Sequence, residues 1–201
     1  MSDSVKRLLA QIRKIVASGA DRKIKATQIA EAIREYGAYR WVGVYDVSLE
    51  AVSVVAWSGP GAPAYATFPT TKGLTGAAIR EKKTIVVGDV RKDPRYLTAF
   101  GSTLSEMIVP ILHPFQGSVI GTIDVESEKA NAFSPRDREW LEECGRAARQ
   151  LWIREIAWAE AFLHIHKKYG AQPEIRPDES DARKAKVSLR GRRAALRKPR
   201  S

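Results

Sequence analysis

The chain has 201 residues, 44% of them apolar, and a net charge of +11, which fits one domain with extensions better than two small ones. No stretch approaches the roughly 20 consecutive apolar residues of a membrane span. The first apolar run, after Lys6 and Arg7, breaks at Gln11 and Arg13, too soon for a secretory signal. The single cysteine, Cys144, excludes an intramolecular disulfide framework and a cysteine-rich metal site, so a cytoplasmic protein is expected.

Val5, Leu8, Leu9, Ile12, Ile15 and Val16 recur at helical spacing, predicting an amphipathic helix over residues 3–18. A second helix is expected from Ile24 to Tyr36, ended by Gly37. The period then changes. Tyr39 to Val47 and Ala51 to Trp57 read as strands joined by a hairpin at Ser48-Leu49-Glu50. The Gly/Pro-dense stretch from Ser58 to Pro63 is a loop. Thr67 to Pro69 reads as a short strand, Leu74 to Glu81 as a helix, and Thr84 to Val87 as a buried strand. Asp89 to Tyr96 is a polar loop, with a helical turn expected near Leu97 to Gly101. Two more strands, Glu106 to Leu112 and Ser118 to Val125, flank a turn at residues 114–117.

The last helix carries the clearest start signal, with Ser134 as N-cap, Pro135 at the first helical position and Asp137 at the third. Leu141, Cys144, Ala148 and Leu151 begin an apolar row that resumes at Trp158, Phe162 and Ile165. Its face should pack on the N-terminal helix, on its copy in a second subunit, or on both, and a homodimer through the terminal helices is expected. From Gln172 onward ten Lys/Arg stand against four acids, a net +6 of the total +11. With three prolines and few large apolar side chains, this segment is expected not to fold on its own. The expected division is an N-terminal helix over 1–22, a folded domain with the long C-terminal helix over 23–170, and a basic tail over 171–201. The fold class is mixed α/β: a mostly antiparallel sheet with helices on one face, leaving the other face for a small-molecule ligand.

Strand parity identifies candidate site residues. Val42 and Val44 point one way, while Trp41 and Tyr45 flank Gly43 on the other face. Met107, Val109 and Ile111 oppose Glu106 and Ile108; Val119, Ile123 and Val125 oppose Thr122, Asp124 and Glu126. If the second faces coincide they form a cup of Trp41, Tyr45, Glu106, Asp124 and Glu126, suited to an amine or another cation. The alternative is the solvated side of an ordinary antiparallel sheet. His164 and His166 lie two apart and cannot chelate as an i, i+4 pair; His113 stands alone, so no metal and no cofactor is expected. The six cations from Leu189 to Ser201 could hold nucleic acid or an anionic surface by charge, or simply be solvated.

Several segments in order resemble a GAF domain: Tyr39-Arg-Trp-Val-Gly-Val-Tyr45, Phe68-Pro-Thr-Thr-Lys-Gly-Leu-Thr-Gly76, Val87-Gly-Asp-Val90, Ser105-Glu-Met-Ile-Val-Pro110 and Gly121-Thr-Ile-Asp-Val-Glu-Ser127. Phe133-Ser-Pro-Arg-Asp137 completes the set, and the resemblance spans about residues 25–155. Within the superfamily it is most similar to the free methionine-(R)-sulfoxide reductase branch. The resemblance implies a sheet of about six strands with helices behind it and a small-molecule pocket in front. The reductases' acidic pocket positions correspond here to Glu106, Asp124 and Glu126, the last standing where a shorter aspartate is usual. Their cysteine positions fall on Tyr65, Thr75 and Ala99, none of which can form a sulfenic acid or a disulfide. Cys144, on an apolar helix face, reads as packing. The run Asn131, Phe133, Asp137 faintly resembles the signature of cyclic-nucleotide-binding members but is better explained as a helix cap. The expected function is therefore a non-enzymatic signalling or binding protein for an amine-bearing metabolite such as an amino acid. The alternatives are a thiol reductase working through Cys144 and nucleic-acid binding through the tail. No effector domain is expected on this chain.

Overall fold

The computed structural model describes residues 1–98 and 100–153. Ala99, the expected continuation of the last helix to Ile165, both His164 and His166, and the basic segment over 171–201 lie outside the described residues. The element order is α1 (Asp3–Ala17), α2 (Arg22–Gly37), β1 (Trp41–Val47), β2 (Ala51–Ser58), β3 (Thr67–Pro69), α3 (Gly73–Glu81) and β4 (Ile85–Val87). A 3-10 turn (Val90–Lys92), β5 (Ser105–Leu112), β6 (Val119–Ser127) and α4 (Pro135–Ala148) follow. Six strands form one sheet in the order β3-β2-β1-β6-β5-β4, every neighbouring pair antiparallel.

Local chemistry explains the elements. Ser2 caps α1 by accepting the Val5 amide, and α1 buries Val5, Leu8, Leu9, Ile12 and Val16, one face of a 3.6-residue period. Ser134 and Asp137 form a reciprocal capping box at the start of α4, with Pro135 in the first turn. Asn131 belongs to the approach to this cap: its amide donates to the Gly88 carbonyl at 2.8 Å and its φ is +53°. The chain after α4 makes a turn at Arg149 before one further helical turn over residues 150–153.

One sheet face is covered by α2 and α4, with α1 packed against both. Val42, Val44, Met107, Val109, Ile123 and Val125 meet these helices in a single buried cluster. The apolar face of α4 lies against α1, so within the described residues the terminal helices are each other's partners. On the other face α3 sits over β5, β4 and β6, where Leu74 and Ala78 pack with Ile108, Val87 and Val90.

α2 ends at Gly37 as expected, with Ala38 in the left-handed conformation (φ +50°) after it. Gly37 is held by space, since a Cβ there would lie 2.1 Å from Tyr39 Cε2. Two local expectations need correction. The strand ending at Val87 is not buried: it is the sheet edge, with only Val87 buried and Val86 40% exposed. An apolar run of three is ambiguous in this respect, because edge and centre strands share the same composition. The helical turn of the polar loop lies at Val90–Lys92, where the Asp89 side chain accepts the Arg91 amide, and not near Leu97.

Candidate functional site

The face opposite the terminal helices holds the cup. On β1, Trp41 and Tyr45 project to one side with Gly43 between them. A Cβ at position 43 would lie 2.3 Å from Trp41 Cη2 and 2.7 Å from Tyr45 Cε2, so both rings fold into the space that side chain would fill. Register then brings the acids beside the rings. Trp41 pairs with Glu126, and Glu126 pairs with Glu106, forming one row across β1, β6 and β5. The next row runs Gly43, Asp124, Ile108. All five residues expected from parity line one pocket, together with Thr75 of α3.

Trp41, Tyr45, Asp124 and Glu126 are buried, and Glu106 is half-buried. The aromatic wall continues through Phe100, 5.4 Å from the Trp41 ring centre, and Phe68, 6.0 Å from that of Tyr45. Trp41 Nε1 donates to the Gly61 carbonyl at 3.3 Å, tying the wall to the Gly/Pro loop. Tyr65 and Leu97 sit at the lip. The enclosed cavity is about 30 Å³. At roughly 10–15 Å³ per water, that is space for about two waters or one ammonium group.

Like charges directly opposed across strands repel, and burial removes the water that would screen them. Burial pushes the Asp124 carboxyl up to about 7. Burial likewise raises Glu126 to about 7, against the opposing effects of Thr103 and Arg40. Glu106 is held well above the carboxylate range by burial and then by the charges of Glu126 and Asp124. Burial, then these same three charges, pushes the Tyr45 phenol up, so it stays protonated. Thr75 Oγ1 donates to Asp124 Oδ2 at 3.1 Å, and Thr103 Oγ1 donates to Glu126 Oε2. Asp124 Oδ1 and the Thr122 hydroxyl both lack a partner within strict hydrogen-bond geometry, yet the two groups are close enough for Thr122 to hold the Asp124 carboxyl down against burial. The nearby cation, Arg40, is shared: its Nη1 lies 2.6 Å from Glu128 Oε1, its guanidinium lies 5.5 Å from the Phe100 ring centre, and its Nε is buried without a hydrogen-bond partner. Among the described residues the cup therefore has three carboxylates against the partial influence of one cation, Arg40, which acts on Glu126.

Two contributors escaped the sequence. Thr75 drew notice only as a residue unable to act as a thiolate, and nothing in the sequence pointed to Thr103, a loop residue that reaches β6. Of the three positions matched to cysteines, Tyr65 and Thr75 both line the pocket. Cys144 is fully buried in the core between α4 and the sheet, and burial pushes its thiol up to about 12. His113 serves the β5–β6 turn, where its Nδ1 accepts the amides of Phe115 and Gln116. No described helix is long and apolar enough to cross a membrane.

Comparison with known proteins places this geometry in a family. The sequence profile of the GAF domain matches residues 23–152. GAF domain-containing protein A of Dictyostelium discoideum is 30% identical over 140 residues, covering 69% of this chain and 86% of that protein. The free methionine-R-sulfoxide reductase of Saccharomyces cerevisiae is 31% identical over 107 residues, 53% of this chain and 59% of the yeast protein. The reductase of the same name from Neisseria meningitidis, solved in complex with its substrate, superposes with a TM-score of 0.67 at 27% identity. That match covers 76% of this chain and 92% of the Neisseria chain.

Proposed function

The chain belongs to the GAF domain family, whose fold binds small molecules, and on that premise we propose that it is a non-enzymatic sensory or binding protein for an amine-bearing metabolite such as a free amino acid. The observation that carries this reading is the convergence of three carboxylates, Glu106, Asp124 and Glu126, with the rings of Trp41 and Tyr45 around one cavity of ammonium size. An ammonium group supplies the donors and the charge that these carboxylates lack, and the rings of Trp41 and Tyr45 add a face complementary to a cation. The rest of the ligand would extend past Tyr65 and Leu97 at the lip.

The similarity to reductases favours a second reading, sulfoxide reduction by a thiol. Against it stands the chain's only cysteine, whose thiol is buried behind the sheet, on the face away from the cup. Tryptophan fluorescence titrated with free amino acids and their sulfoxides tests the binding reading, with Glu106→Ala as the variant that should abolish the response. Turnover of methionine sulfoxide with dithiothreitol, lost in Cys144→Ser, would establish the reductase instead. Self-association through the terminal helices would pass occupancy on, and sedimentation with and without ligand measures that. The basic segment over 171–201 would add a weak contact with nucleic acid or an anionic surface, read as a salt-dependent gel shift lost on its deletion.

A further inference from the structure

Leu49 and Phe115 are the two most exposed large apolar side chains among the described residues, at 99% and 92%. Each sits at the tip of a turn, Leu49 between β1 and β2 and Phe115 between β5 and β6. Register puts both turns at the same end of the sheet, because the last residues of β1 lie against the first of β6, with Asp46 facing Gly121. β1 and β6 are neighbours, so the tips stand about two strand spacings, or about 10 Å, apart. α2 starts at this end too: its Arg22 bonds to Asp46 at 2.9 Å, and Ile24, in the same helical turn, is 50% exposed.

Single apolar side chains on a surface are ordinary. These tips differ in that their amide donors are largely satisfied within the turns. At the first, Ser48 Oγ accepts the Glu50 and Ala51 amides, while Thr70 donates its hydroxyl to the Leu49 carbonyl and its amide to the Glu50 carbonyl. At the second, His113 Nδ1 accepts the Phe115 and Gln116 amides, the His113 carbonyl accepts that of Gly117, and Pro114 has none to donate. Peptide groups already paired enter an apolar medium at far lower cost than unpaired ones.

Charge selects the surface. Around the tips Lys14 and Lys23 balance Asp21 and Glu50, and Arg22 is held by Asp46. The described chain also ends here, where Trp152 bonds to the Tyr45 carbonyl beside Gly121. Farther along, the sequence from Gln172 carries ten cations against four acids. Separate protruding side chains suit a fluid interface better than a shaped partner. An apolar anchor with a polybasic segment also supplies the two signals that stable attachment requires. We propose that this end of the sheet docks on an anionic lipid bilayer, with Leu49 and Phe115 entering the headgroup region and Ile24 at its margin. Insertion is a property of the two turns, separate from any contact that the basic segment makes by charge alone.

The test is co-sedimentation of the full chain with vesicles of phosphatidylcholine containing phosphatidylserine, and with vesicles of phosphatidylcholine alone. Binding to the anionic vesicles is expected, weakening as salt is raised, with little binding to the neutral ones. Leu49→Ser combined with Phe115→Ser should reduce partitioning about tenfold or more. Val86→Thr, on the edge strand near the start of β5 and away from these turns, should leave it unchanged. Phe115→Trp should be quenched by lipids with brominated acyl chains, beyond any quenching of the native tryptophans. If the double variant melts at an altered temperature, that quenching decides. No binding, equal binding to neutral vesicles, equal partitioning of the double variant and the native chain, an equal loss in Val86→Thr, or no added quenching in Phe115→Trp would each overturn the proposal. So would a native dimer that the double variant dissociates, which would assign the tips to a second copy.

Discussion

Trp152 donates its indole N–H to the backbone carbonyl of Tyr45 at 3.1 Å, linking residues 107 positions apart. The indole reaches that carbonyl over Gly121, where a Cβ would lie 2.0 Å from Trp152 Nε1. The turn after α4 thus fastens the pocket strand from behind, next to the irregularity in β1–β2 pairing between Val44 and Tyr45. Trp152→Phe keeps a six-membered ring but removes the pyrrole N–H and its volume, leaving a buried carbonyl without this donor beside a small cavity. Chemical denaturation should show a loss of about 1–3 kcal/mol, and an unchanged midpoint would mean the bond contributes nothing.

Gly43 makes a second prediction. The missing Cβ is what lets Trp41 and Tyr45 share one face, so Gly43→Ala overpacks the aromatic wall. A loss of about 1–3 kcal/mol is expected, with a shift in intrinsic tryptophan emission. A variant as stable as the parent with the same spectrum would show that the rings have room to spare.

The carboxylates predict an inverted pH dependence. Asp124 and Glu126 both have folded-state values raised to about 7. A raised acid favours the folded state while protonated; its contribution is complete below the unfolded value, about 4, and is lost as pH rises through about 7. The opposite-signed groups, Asp89, Asp93, Asp137, Glu142 and Glu143, are lowered and act only below the ordinary carboxylate range. The unliganded protein should therefore lose stability between about pH 4 and pH 7, by on the order of 2–4 kcal/mol per group at most. Asp124→Asn should flatten that slope and be the more stable protein at about pH 8. Denaturant midpoints across this range decide it; a midpoint that rises with pH would contradict the burial account.

Cys144 should be inert. Its burial and raised thiol predict no reaction with a thiol-specific chromogenic reagent until the chain is unfolded. Cys144→Ala should fold, while Cys144→Ser buries a hydroxyl and should cost about 1–3 kcal/mol. Rapid labelling of the native protein would reopen the thiol-enzyme reading.

Strand parity made most of the cup legible, because a period of two assigns faces without knowing which strands are neighbours. It put Trp41, Tyr45, Glu106, Asp124 and Glu126 on the faces that line one pocket, and the β1–β6–β5 register brings these strands side by side. Parity cannot supply what comes from loops and helices, so Thr103 and the role of Thr75 stayed hidden until the chain was folded. It also cannot distinguish an edge strand from a buried one, hence the misreading of Val86. The left-handed cap at Ala38 escaped for a related reason: the neighbouring glycine signalled the turn, while the Tyr39 ring had already claimed the space beside it.

Proton-linked calorimetry addresses the cup most directly. An ammonium entering among Glu106, Asp124 and Glu126 stabilises their ionised forms, so binding near neutral pH should release protons. The measured heat should then vary with the ionisation enthalpy of the buffer. A free amino acid should bind with proton release, its N-acetylated form should fail to bind, and Asp124→Asn should reduce both affinity and release. Equal binding of the acetylated form, or binding with no buffer dependence, would contradict a cup built for a cation.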